Sequence, residues 1–169
     1  MSAKTIAIID ATERIGATIA RNIVKENYRL LLLSRHVNEL KNLVKGITKR
    51  SPNADIDCMP CAGDASWEAD VVVLTIPLNN ELAQKISPFV NRKIVVSISF
   101  ENHPEIGELE ELLPGARIVK LDASLGDNKE HVFAAIASND PEALQVAQEM
   151  ARFSRIQLID QKASLEQII

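Results

Sequence analysis

The chain has 169 residues, with 19 Lys and Arg against 23 Asp and Glu, a net charge of −4. That length fits one domain able to bury about 70% of its unfolded surface without disulfide or metal staples. The acidic balance argues against nucleic acid or an anionic membrane as a partner, and no apolar run approaches the roughly 18 residues of a membrane span. Two cysteines do not make a secreted disulfide framework. Met1-Ser2-Ala3-Lys4 leads straight into a strand pattern, which predicts no signal peptide. Together these features predict a soluble cytoplasmic protein.

Thr5 to Ile9 is an apolar run, TIAII, and predicts a first strand. A tight segment, Asp10 to Gly16, follows. Ile15, Ile19 and Ile23 then recur at i, i+4 and i+8, which predicts a helix from about Glu13 to Glu26. Arg29 to Ser34 reads as the second strand. Strand, turn, helix and strand make a βαβ unit. Val37, Leu40, Leu43, Val44 and Ile47 stripe a second helix, with Lys45, Lys49 and Arg50 in its last turns and Ser51-Pro52-Asn53 ending it.

Asp55 to Cys61 reads as a weak third strand, and Gly63 to Ala69 as a connector holding Trp67. Asp70 to Ile76 is the strongest strand signal, apolar throughout as a central parallel strand covered on both faces should be. A helix over Asn79 to Val90 follows, then a strand over Lys93 to Ser99. A loop from Phe100 to Pro104 leads to a helix carrying Ile106, Leu109 and Leu113, and Arg117 to Leu121 reads as the sixth strand. After that the spacing changes. His131 to Ser138 reads as a strand, and Asn139-Asp140-Pro141-Glu142 as a capped helix start. Ile156 to Asp160 is a last strand, with a helical turn at Leu165, Ile168 and Ile169. The alternation predicts a doubly wound, mostly parallel Rossmann-type sheet of about eight strands in a single domain, residues 1–169. Ligands in such sheets bind at the carboxyl ends of the strands, where the strand order reverses.

The first turn is where such a fold holds a pyrophosphate, on G-x-G-x-x-G amides and a helix N-terminus. Here the three glycine positions fall on Ala11, Glu13 and Gly16. The candidate phosphate-contacting residues are Ala11, Thr12, Glu13, Arg14 and Ile15. Asp10 and Glu13 bring carboxylates toward an anion. Ser34 and Arg35 end the second strand about 20 residues after the turn. A hydroxyl followed by a guanidinium fork suits a ribose 2′-phosphate better than free ribose hydroxyls, and His36 adds a donor. Ser97, Ser99, Asn102 and His103 lie on the rim after the fifth strand, with His103 a candidate proton donor. Cys58-Met-Pro-Cys61 is a C-x-x-C pair ending a weak strand. Two half-buried small residues is the simpler reading of that pair, with a thiol redox protein as a third functional hypothesis. No metal site is expected.

IAIIDATERIGATIARNI, LLLSR, ADVVVLTIP, PGARIVKLDASL and NDPEALQVAQEM, in that order, resemble NADP oxidoreductases of the coenzyme F420-dependent type. Asp10, Ala11 and Glu13 stand where that family has glycines, and SISFENHP replaces its V-D-A-T-N-P. Family members usually continue past the point where this chain stops. The resemblance implies NADP as cofactor, a flavin or deazaflavin co-substrate, a homodimer, and Thr75, Ile76 and Pro77 beside the nicotinamide. It implies hydride transfer between NADP(H) and a flavin, deazaflavin or small acceptor. The alternative is a Rossmann-fold binding or interaction protein that kept the scaffold and lost the reaction.

Overall fold

The computed structural model describes residues 4–101, 103–127 and 131–159. Asn102 and the expected turn at Leu165, Ile168 and Ile169 lie outside the described residues.

The elements alternate as expected. They are β1 (Lys4–Ile9), α1 (Arg14–Ile23), β2 (Tyr28–Leu33), α2 (Val37–Arg50), β3 (Asp55–Cys58), α3 (Ala62–Glu68) and β4 (Val71–Leu74). Then come α4 (Asn80–Ile86), β5 (Ile94–Ser99), α5 (Ile106–Leu112), β6 (Arg117–Leu125), β7 (Val132–Ser138), α6 (Pro141–Phe153) and β8 (Ile156–Ile159). They form one sheet of order β3-β2-β1-β4-β5-β6-β7-β8. Every neighbouring pair is parallel except β6 with β7. The order reverses between β1 and β4. This is the α/β Rossmann-type architecture.

Alternation along each strand sends side chains to two cores. Ile6, Ile8, Val73 and Val96 face the layer of α1, α2 and α6. Ala7, Ile9, Leu74 and Val95 face α3, α4 and α5. All four residues of β4 are buried, the mark of a parallel strand covered on both sides. Ile15, Ile19 and Ile23 are buried on the inner face of α1, as their spacing requires.

Helix α1 stops at Ile23 and strand β3 at Cys58, each three residues short of the expectation, and three further elements differ from it. The connector around Trp67 is helix α3. Its cap is the Cys61 sulfur, which accepts from the Asp64 amide, and its last carbonyls, on Ser66 and Trp67, accept from the Lys93 ammonium. The expected long helix to Val90 stops at Ile86 and tightens into a 3₁₀ turn over Ser87–Phe89, because Pro88 has no N–H to continue the α ladder. Strand β6 runs on to Leu125, since it pairs with β7 as an antiparallel hairpin out to Leu125 opposite Val132. At the start of α6, Asp140 accepts from the amides of Glu142 and Ala143, with Pro141 in the first turn, as the motif predicts. The Arg117 guanidinium grips the same carboxylate, which holds the Asp140 pKa well below the usual carboxylate range.

Candidate functional site

The site is built where β1 ends. Asp10 adopts φ 65°, the left-handed region. Glycine is the usual occupant there, and aspartate is among the few other residues that tolerate it. The chain then climbs through Ala11, fully buried, to the first turn of α1. Gly16 lies directly under that climb. A Cβ there would stand 3.0 Å from both the Ala11 Cα and the Asp10 carbonyl oxygen. Only glycine lets the helix approach so closely, one role of the third glycine in this motif.

Side chains tie this turn to both neighbouring strands. Thr75 donates its hydroxyl to the carbonyls of Ile9 (2.7 Å) and Asp10 (2.8 Å). That fixes the end of β4 against the end of β1. Ile76 is half-buried and Pro77 exposed. On the other side, Thr12 Oγ1 and Ser34 Oγ lie 2.6 Å apart, Ser34 Oγ is 3.3 Å from Asp10 Oδ1, and the His36 amide donates to Ser34. A hydroxyl has one proton. Thr12 donating to Ser34 and Ser34 donating to Asp10 uses both hydroxyl protons and leaves no contradiction. Ser34 is buried and its hydroxyl is committed inward.

The Asp10 carboxylate is 2% exposed, and its Oδ2 has no hydrogen-bond partner among the described residues. The Arg35 guanidinium stands 3.6 Å away, close enough for an ion pair and too far for a hydrogen bond. Arg35 itself is 78% exposed, so most of its five donors face outward. Glu13 is exposed and makes no side-chain cap to α1. The turn residues Ala11 to Ile15, Ser34 with Arg35, and Thr75 to Pro77 therefore converge on one edge of the sheet, at the switch point.

The sequence matches the family model described as NADP oxidoreductase, coenzyme F420-dependent, over residues 5–101, more than half the chain. The chain belongs to that family. The oxidoreductase family's matched region spans β1 to the end of β5 and so contains every residue of the converging edge. No curated protein matches the sequence. Solved structures share the fold of this F420-type family member. Pyrroline carboxylate reductase of Plasmodium falciparum, solved with NADP, matches at 14% identity and TM-score 0.68, over 96% of this chain and 60% of that one. Prephenate dehydrogenase of A. aeolicus, solved with NAD+, matches at 14% identity and TM-score 0.70, over 95% and 61%. A candidate F420-dependent NADP reductase of Arthrobacter sp. FB24 matches at 16% identity and TM-score 0.60, over 94% and 84%. The chain spans about three fifths of the first two.

A second polar cluster stands on the neighbouring rim of this family member. His103 Nε2 lies 2.9 Å from Ser97 Oγ, and Nδ1 lies 2.9 Å from Asp122 Oδ1. Burial pushes the His103 pKa down, opposed by the Asp122 carboxylate. The neutral ring donates to Asp122 and accepts from Ser97. The order resembles a hydrolytic triad, but Ser97 is 2% exposed, which keeps its hydroxyl from a substrate. The cluster instead braces the loop before α5 against β5 and β6. Lys120 joins it, 3.5 Å from Asp122 and 3.8 Å from Glu105. Sequence reasoning found His103 and Ser97 and missed Asp122 and Lys120. The available signal was two charged residues at alternate positions on the apolar strand β6.

Cys58 and Cys61 are both exposed, not half-buried as expected. Burial and the Asp57 charge raise the Cys58 pKa, the reverse of what an attacking thiolate needs. Among the described residues no group of three or more His, Cys, Asp or Glu is arranged to hold a metal, and no helix is long and apolar enough to cross a membrane.

Proposed function

We propose that the protein binds NADP(H) at the β1–α1 turn and transfers hydride between it and a flavin, a deazaflavin or another small acceptor. The observation that carries this reading is Arg35. It presents a largely exposed guanidinium at the carboxyl end of β2, beside a turn that only Gly16 allows to close. The family membership and the NADP in the Plasmodium reductase support the same reading.

The residues fit the group. Ala11 and Thr12 are small, and the N-terminus of α1 is not closed by its own cap side chain, which suits a pyrophosphate. The backbone from Ala11 to Ile15 would hold it, with Glu13 and Arg14 facing water. Water screens the Glu13 charge to about 1 kcal/mol of repulsion at 4 Å. Arg35 would fork the 2′-phosphate, with Ser34 positioning it from below through Asp10. Thr75, Ile76 and Pro77 would line the nicotinamide end. The bound cofactor supplies the hydride chemistry. The protein orients it on the edge that Thr75 ties together. The reading carries a cytoplasmic location and a homodimer, checked by cell fractionation and by light scattering.

A second reading has its own observation. The buried Asp10 carboxylate, with one oxygen that has no hydrogen-bond partner among the described residues, lies in the turn where phosphate charge would sit. A Rossmann-fold binding or interaction protein that has lost the reaction would tolerate it. One titration separates the two. NADPH is expected to bind more tightly than NADH. Removing a charge-assisted hydrogen bond costs about 1.5–3 kcal/mol, so Arg35→Ala should weaken NADPH roughly 10- to 150-fold and leave NADH nearly unchanged. No NADPH binding at millimolar concentration would favour the scaffold.

A further inference from the structure

We infer that a basic groove on the opposite edge of the sheet is a second binding site, for a small ligand carrying two phosphate groups. The groove has a volume of about 680 Å³ and is lined by Arg21 of α1, Lys25 beyond its end, Arg50 of α2 and Arg155 of the turn before β8. Those positions lie where strands begin, not where they end, so the groove is separate from the β1–α1 turn.

Its charge is uncompensated. No Asp or Glu lines it. None of the four cations forms an ion pair among the described residues. Two arginines elsewhere are held by pairs of carboxylates. Arg29 contacts Asp57 and Glu68, and Arg117 contacts Asp140 and Glu142. Arg155 also holds φ 60°, a left-handed conformation that glycine or asparagine would adopt at lower cost. That conformation is a common way to end a helix, here α6, and Arg92 adopts it outside the groove, so the groove rests on its charge and shape.

Helix ends alone do not account for the cluster. Arg21 and Arg50 sit in last turns, which the helix dipole favours. The ends of α1, α2 and α6 bring about half a negative charge each, so four cations leave a balance of about +2.5. A ligand with two phosphate groups brings about −3. The volume lies in the range of small-molecule sites, about 300–1,000 Å³. Outside the groove, 15 cations (19 less these 4) face 23 acids. That surface repels a long polyanion leaving the groove, which favours a compact ligand over nucleic acid.

Isothermal titration of the full chain with pyrophosphate tests this. Pyrophosphate should bind with a micromolar dissociation constant, at least tenfold tighter than orthophosphate, and weaken as salt rises. Arg50→Gln combined with Arg155→Gln should weaken it at least tenfold. Gly46 is a second handle, because a Cβ there meets nothing within 4 Å. Gly46→Glu should lower the affinity as strongly with no loss of melting temperature. NADPH titrations of these variants should match the wild type. The inference fails if pyrophosphate does not bind at millimolar concentration, if orthophosphate binds equally well, or if a single-stranded RNA binds more tightly. It also fails if NADPH displaces pyrophosphate while the groove variants leave its binding intact, since the anion then belongs to the dinucleotide turn.

Discussion

Gly16→Ala tests the close approach on which the dinucleotide edge is built. The added Cβ would meet the Ala11 Cα and Asp10 oxygen at 3.0 Å and the Ala11 oxygen at 3.2 Å. All three are backbone atoms, so no side chain can rotate away. Overpacking of this kind costs about 1–3 kcal/mol. Unfolding entropy near the melting temperature is about 2.1 cal/mol/K per residue, or about 350 cal/mol/K for this chain. Each kcal/mol therefore moves Tm by about 3 °C, and Gly16→Ala should lower it by about 3–9 °C. Gly46→Ala is the internal control. It lies in α2 with open space around its Cβ, and glycine in a helix interior costs about 1 kcal/mol against alanine. That variant should melt about 3 °C higher. Thermal unfolding by circular dichroism reads both. A Gly16→Ala protein melting within a degree of wild type, or two shifts of the same sign, refutes the reasoning.

Two further outcomes follow from the structure. Burial lowers the His103 pKa, so the unfolded chain takes up that proton first as pH falls. The stability it contributes is full above the ordinary value of about 6.5 and is lost as pH falls below that. Melting temperatures of wild type should drop between pH 7 and pH 5, and His103→Asn should flatten that part of the curve; equal slopes contradict it. At α3, Cys61 caps through a weak sulfur acceptor at 3.4 Å. Cys61→Ser should raise Tm slightly and Cys61→Ala lower it, because serine is the better cap by about 0.5–2 kcal/mol over alanine. The reverse order in melts of the two variants would remove the cap.

What was legible in the sequence is what a few neighbouring residues decide. The run Val71 to Leu74 and the spacing of Ile15, Ile19 and Ile23 gave β4 and α1. Helix α3 escaped because its buried positions, Ala62, Ala65 and Ser66, are too small to make an apolar stripe. Its C-terminal end is held by Lys93, more than two dozen residues away. The end of β6 is fixed by its partner β7, not by its own composition. The site divides the same way. The spacing from the turn to Arg35 was readable. That Ser34 spends its hydroxyl on Thr12 and Asp10 was not, since those contacts span 22 and 24 residues. The His103 to Asp122 bond, 19 residues apart, hid for the same reason.

Asp10 is where the two functional readings part. A buried carboxylate with one unpartnered oxygen is costly unless a cation compensates it. The cation within reach is Arg35, at 3.6 Å, and the same guanidinium is the proposed partner of a 2′-phosphate. On that proposal one arginine would serve two anions, and its donors are numerous enough for both. Asp10→Gly relieves the left-handed backbone and removes the competing charge, but it also frees Arg35 from its anchor. If Asp10 competes, NADPH affinity rises in the variant while NADH changes less. If Asp10 holds Arg35 in place, NADPH affinity falls and the preference over NADH shrinks. An unchanged ratio of the two affinities would mean that Arg35 and Asp10 do not act together, and the ion pair would carry no part of cofactor choice.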